Sequence, residues 1–165
     1  MLSKNNNHTD PAKDLDEPCQ FQFECDDTLA EPFFTLLLST RRLLDSTDRT
    51  KPLEIDETFK LIYENYPVTL IGQSDADRKF HLIAVGISTN STQEVGEFFL
   101  RALLREIPDL MPRAYLGDAA EAFANAFRAI WPFALRLMCY AHVYKVKNDS
   151  CMNNRMTCYT CRPQL

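Results

Sequence analysis

Three strand-like runs in quick succession constrain this chain more than any other feature. Leu53 to Tyr63, Tyr66 to Gln73 and Lys79 to Ile87 are rich in β-branched and aromatic residues. The polar stretch Ser74-Asp75-Ala76-Asp77-Arg78 turns the second run into the third, so the three read as an antiparallel meander. Counting by twos along the first run puts Leu53, Ile55, Phe59, Leu61 and Tyr63 on one face and Glu54, Asp56, Thr58 and Lys60 on the other. The same count leaves Glu57 on the apolar face, where an unpaired carboxylate is costly or is forced to neutralise. Either the strand bulges there, carrying Glu57 toward solvent or a metal, or a site beside it is damaged.

A helix follows the meander. Ser91-Thr92-Gln93-Glu94 is a capping-box pattern, and Val95, Phe98, Phe99, Ala102, Leu103 and Ile107 fall on one helical face until Pro108. The spacing predicts a helix from about Thr92 to Ile107. After it come a short strand over 113–117, a helix with Ala120, Phe123, Ala124 and Phe127 on one side, and a strand from Ala134 to Cys139. The order β-β-β-α-β-α-β defines a mixed α/β class. Phe98, Phe99, Phe123, Phe127, Trp131 and Phe133 occupy core positions of these elements. Ahead of the meander, Phe33, Phe34, Leu36, Leu37 and Leu38 form a buried strand or helix, between which periodicity does not choose.

The organisation is a polar, disordered leader over 1–30, one domain over 31–148 and an irregular Cys-containing tail over 149–165. A length of 165 residues with 45% hydrophobic and 25% charged residues fits a single domain with a real core. A formal charge of −5, from 18 Lys and Arg against 23 Asp and Glu, is unlike a stand-alone DNA binder. The N-terminus lacks the apolar core of a secretory signal, and no segment has the roughly 20 apolar residues of a membrane-spanning helix. An intracellular setting follows, in which the six Cys are thiols or metal ligands rather than a disulfide framework.

Asp56 and Asp118 are the candidate site. Each carboxylate falls where a strand presents it at the edge of one sheet, a layout suited to oxygen-bound magnesium and phosphodiester chemistry. Asp118 has a second reading, because Asp118-Ala119-Ala120-Glu121 is also a helix N-cap with the reciprocal Glu of a capping box. For Asp56 the alternative is a plain exposed strand face. Cys139 and His142 are spaced to bind zinc, with Cys158 and Cys161 completing a Cys3His set, or are packing residues at a strand end. Asp75 and Asp77 belong to turn chemistry, and His81 to strand packing or hydrogen bonding. Arg41, Arg42, Lys145 and Lys147 are either phosphate contacts or a solvated surface. With 4 Gly there is no phosphate-cradling loop.

Between Glu31 and Lys147 a series of short blocks resembles the MULE (Mutator-like element) transposases. The blocks are Glu31-Pro32-Phe33-Phe34, Ser39-Thr40-Arg41-Arg42-Leu43-Leu44, Ile55-Asp56-Glu57-Thr58-Phe59-Lys60-Leu61, Tyr66-Pro67-Val68, Asp75-Ala76-Asp77-Arg78-Lys79-Phe80-His81, Gly117-Asp118-Ala119-Ala120 and Cys139-Tyr140-Ala141-His142. The resemblance implies a ribonuclease H-like mixed sheet in which the first and fourth strands of the series are neighbours, so that Asp56 and Asp118 converge. It implies a DDE-type catalytic core in which these two are the first two metal-binding acids, loaded with magnesium or manganese. It also implies a nuclear location, and it matches Cys139 and His142 to the family's Cys-x-x-His motif.

Two departures stand out. Family members carry a small residue at the position of Glu57, and the third acid, expected on a helix beyond the Cys-x-x-His motif, has no counterpart. The expectation is therefore a C-terminally incomplete transposase-derived domain, inactive alone, that meets DNA through a longer parent protein or another chain. A non-catalytic domesticated protein associated with DNA or chromatin, and a small zinc-stapled module, are the alternatives.

Overall fold

The computed structural model describes residues 14–28, 33–62, 64–117 and 121–138. Asp118, Cys139, His142, Lys145, Lys147, Cys158, Cys161 and the tail over 149–165 lie outside the described residues. The elements are β1 (Cys19–Asp26), β2 (Phe33–Ser39), α1 (Arg41–Asp45), β3 (Leu53–Thr58), β4 (Val68–Ser74), β5 (Phe80–Ser88), α2 (Gln93–Glu106), β6 (Ala114–Gly117), α3 (Glu121–Ile130) and β7 (Leu135–Met138). The fold is mixed α/β. Its strands form one seven-stranded sheet in the order β1-β2-β5-β4-β3-β6-β7.

The stretch from β3 to β7 follows the order read from the sequence, and β3 and β6 are the expected neighbours, running parallel. The ambiguous apolar run is the strand β2. A correction applies to the leader, because residues 19–26 form the edge strand β1, paired antiparallel with β2. The strand forms because Phe21, Phe23 and Cys25 alternate with Gln20, Gln22 and Glu24. A register shift between Gln20 and Gln22 turns Phe21 inward, to 9% exposure.

The first strand of the meander is shorter than the alternation predicts. The β3–β4 ladder ends at Thr58 opposite Val68, next to Pro67, which has no N–H to continue it. The chain then turns through Asn65 at φ 55°, a left-handed conformation that Asn tolerates. Phe59 and Leu61 are consequently 48% and 63% exposed instead of joining the core.

Helices α2 and α3 pack against each other, and their apolar stripes meet one face of the sheet. The core between them holds Leu37, Leu53, Ile55, Ile71, Ala84, Phe99, Leu103, Tyr115, Phe123 and Phe127. Tyr115 stacks on Phe127 with ring centroids 5.1 Å apart. Trp131 is partly buried and donates its Nε1–H to Leu110 O at 3.1 Å. Phe133 is a second correction, being 98% exposed in the turn after α3 rather than in the core.

The β4–β5 hairpin is closed by Asp75, as its polar sequence predicts. Lys79 N–H donates to Asp75 Oδ1 at 2.9 Å, Arg78 N–H donates to Asp75 O at 3.1 Å, and His81 Nε2 lies 2.8 Å from Asp75 Oδ2. The His81 contact, then the Lys79 amide, hold the Asp75 carboxyl below its ordinary range. A depressed folded value means that the stabilisation is present above the unfolded pKa, about 4, and is lost as pH falls through the folded one. Replacing His81 by Ala is expected to raise the Asp75 midpoint, followed by carboxyl NMR titration. An unmoved midpoint would show that the backbone donors alone set it.

Candidate functional site at the end of the parallel strand pair

The parallel pair β3–β6 is the centre of the site. Leu53 lies opposite Tyr115, Glu54 opposite Leu116 and Ile55 opposite Gly117. Asp56 and Asp118 are the residues that follow Ile55 and Gly117 in the sequence. Asp118 itself lies outside the described residues.

Asp56 pairs across the sheet with Leu70, which pairs with Val85, which pairs with Leu38. Cross-strand partners share a face. The neighbouring row, Glu57, Thr69, Gly86 and Leu37, faces the helices, since Gly86 sits beneath the ring of Phe99 in α2. Asp56 therefore projects from the face opposite α2. It is exposed, and among the described residues no hydrogen bond or ion pair engages its carboxylate.

Glu57 is half-buried, and its environment answers the question raised by the alternation. The β3–β4 register runs unbroken from Glu54 to Thr58, so there is no bulge between these two strands. Instead Ser91 Oγ donates to Glu57 Oε2 at 2.6 Å, and Thr69 Oγ1 donates to Oε1 at 3.4 Å. Two hydroxyls thus satisfy the carboxylate on the helix side. The sequence pattern missed this, because it assigned Ser91 to the helix cap. Thr92 is the N-cap, its side chain accepting from Val95 N–H at 3.4 Å, and this leaves Ser91 free to reach β3.

Other charged candidates are engaged elsewhere. Glu121 pairs with Arg136 at 2.9 Å, Arg41 with Glu106 at 3.4 Å, and Arg42 with Asp16 through Nη2 and Oδ2 at 2.8 Å. Arg41 and Arg42 therefore each have a carboxylate partner. Among the described residues, which exclude Asp118, Cys139 and His142, no group of three or more His, Cys, Asp and Glu could hold a metal ion.

Seven strands in one mixed sheet, with α2 and α3 packed on one face, define a mixed α/β domain. Residues 52–146 match the family model of the MULE transposase domain, and the chain belongs to that family. No curated protein and no solved structure matches the chain. Among the described residues no helix is long and apolar enough to cross a membrane.

Proposed function

We propose that this is a transposase-derived domain of ribonuclease H-like architecture in which Asp56 and Asp118 hold a divalent cation, magnesium or manganese. The observation that carries the reading is the parallel register that sets Ile55 opposite Gly117, the residues immediately before the two acids. Hard oxygen donors, and an Asp56 carboxylate that none of the described residues engages, fit such an ion. When bound, the cation supplies Lewis-acid activation of a water or 3′-hydroxyl and neutralises charge on a phosphate. The role of this chain's residues is to present two carboxylates from neighbouring strands. The activity served is cleavage and transfer of DNA strands, in the nuclear setting that the family implies.

By itself the chain is catalytically incomplete in this reading. Glu121 is the acid that the described residues offer after position 118, and it is bound to Arg136. The third acid and most of the DNA grip come from a longer parent protein or another chain, in keeping with the net charge of −5. Asp56→Asn is expected to weaken magnesium binding at least about tenfold, since ligand charge sets affinity over decades. Calorimetric titration of both proteins checks it. Equal affinities would remove Asp56 from the site.

One observation favours a non-catalytic role in binding partners associated with DNA or chromatin. Met111 and Phe133, 72% and 98% exposed, help line a groove of about 540 Å³ with Trp131 and Arg113. Nearby on β7, Leu135 and Leu137 are 68% and 44% exposed. Apolar side chains left in water at this density mark interaction surfaces.

A further inference from the structure

Glu57 follows Asp56 directly in β3, and its carboxylate is held from the helix side of the sheet. Asp56 and Glu57 are consecutive strand residues, so their side chains leave opposite faces of the sheet. The last described pair of β3 with β6 is Ile55 with Gly117, and positions 56–58 pair with Leu70, Thr69 and Val68 of β4. This C-terminal end of β3 carries Asp56.

The bond from Ser91 Oγ to Glu57 Oε2, at 2.6 Å, ties that strand end to the start of α2. A hydroxyl donating to a carboxylate at this distance is among the stronger hydrogen bonds in proteins. Its far end is firmly set. Ser91 precedes the N-cap Thr92, and the first turns of α2 bury Val95, Gly96, Phe99 and Leu100 against α3 and the sheet. The helix N-terminus adds a favourable field for the carboxylate.

We propose that Glu57 is a positioning residue for the metal site, pinning from the helix side the strand end whose other face presents Asp56. The proposal rests on the reading of Asp56 as a ligand given above. Glu57 does not touch the cation. Its carboxylate is occupied by Ser91 and Thr69 on the reverse face of the sheet.

The test uses the full chain and three variants, Ser91→Ala, Glu57→Ala and the double substitution. Amide hydrogen exchange at residues 56–58 reads the clamp, and calorimetric manganese titration reads the site. Exchange is expected to quicken in both single variants. Manganese affinity is expected to fall about tenfold in each, the lower end for groups that orient ligands. The double variant should be no worse than Glu57→Ala, because that change already removes the bond from Ser91. Unchanged exchange in Ser91→Ala overturns the clamp. Loss of manganese binding in Glu57→Ala with full binding in Ser91→Ala also overturns the proposal, because it makes Glu57 a ligand. Wild-type protein that binds no manganese, with exchange still quickened by Ser91→Ala, defeats the metal reading and the positioning role together but leaves the clamp as a structural bond.

Discussion

Phe99→Ala is expected to destabilise the domain by about 4 kcal/mol, within the range for removing a large aromatic side chain from a core. Phe99 is fully buried at the crossing of α2 with the sheet. Its ring lies directly over Gly86 of β5. A β-carbon at Gly86 would come within 2.5 Å of Phe99 Cε2 and 2.6 Å of Cζ. The two positions therefore share one volume, which predicts strong coupling. Gly86→Ala alone should cost about 3 kcal/mol through overpacking. In the Phe99→Ala background the same change falls into the vacated space and should cost far less. Urea denaturation of the four proteins checks the cycle. A Phe99→Ala loss below about 1 kcal/mol, or additive single effects, would mean that the helix can shift to refill the gap.

The clarity with which β3 to β7 could be read from the sequence has a physical cause. Its helices carry one-sided apolar stripes, such as Val95, Phe99 and Leu103, and its turns carry residues with local hydrogen-bonding work, such as Asp75. Pattern and structure agree wherever a single period controls burial. They part where a second constraint acts. Pro67 shortens the β3–β4 ladder, and with it the apolar face that Phe59 and Leu61 should have shared. A bulge in β1 breaks the alternation of buried positions, although the pattern Cys19-Gln20-Phe21-Gln22-Phe23-Glu24-Cys25-Asp26 was itself the signal for a strand.

The site divides in the same way. Counting placed Asp56 on the exposed face of β3, as observed, but its role as a metal-binding acid is what the resemblance to the family implies. The partners of Glu57 are 12 and 34 residues away in the chain. No local period connects Glu57 to Ser91, and the capping-box pattern gave that serine another task. Contacts of this kind depend on how α2 is seated over the sheet, where the ring of Phe99 lies against Gly86.

At the end of β6 the fold and the proposed metal site depend on one residue. Gly117 pairs with Ile55 and precedes Asp118. A β-carbon at this position would lie 2.0 Å from the Tyr115 hydroxyl oxygen, 2.3 Å from its Cζ and 2.6 Å from Cε2. Tyr115 has little room to withdraw, because it is 2% exposed and stacked on Phe127. Gly117→Ala is therefore expected to cost about 3 kcal/mol, at the upper end for overpacking. The strain is relieved by displacing either α3 or the end of β6. Adding Tyr115→Phe should restore little, since two ring carbons still stand within 2.6 Å of the added methyl group. Denaturation of the single and double variants reads the cost, and magnesium titration reads the displacement. If Tyr115→Phe restores full stability, the hydroxyl alone was the obstacle. If stability falls while magnesium affinity holds, α3 yields and the strand end stays in place.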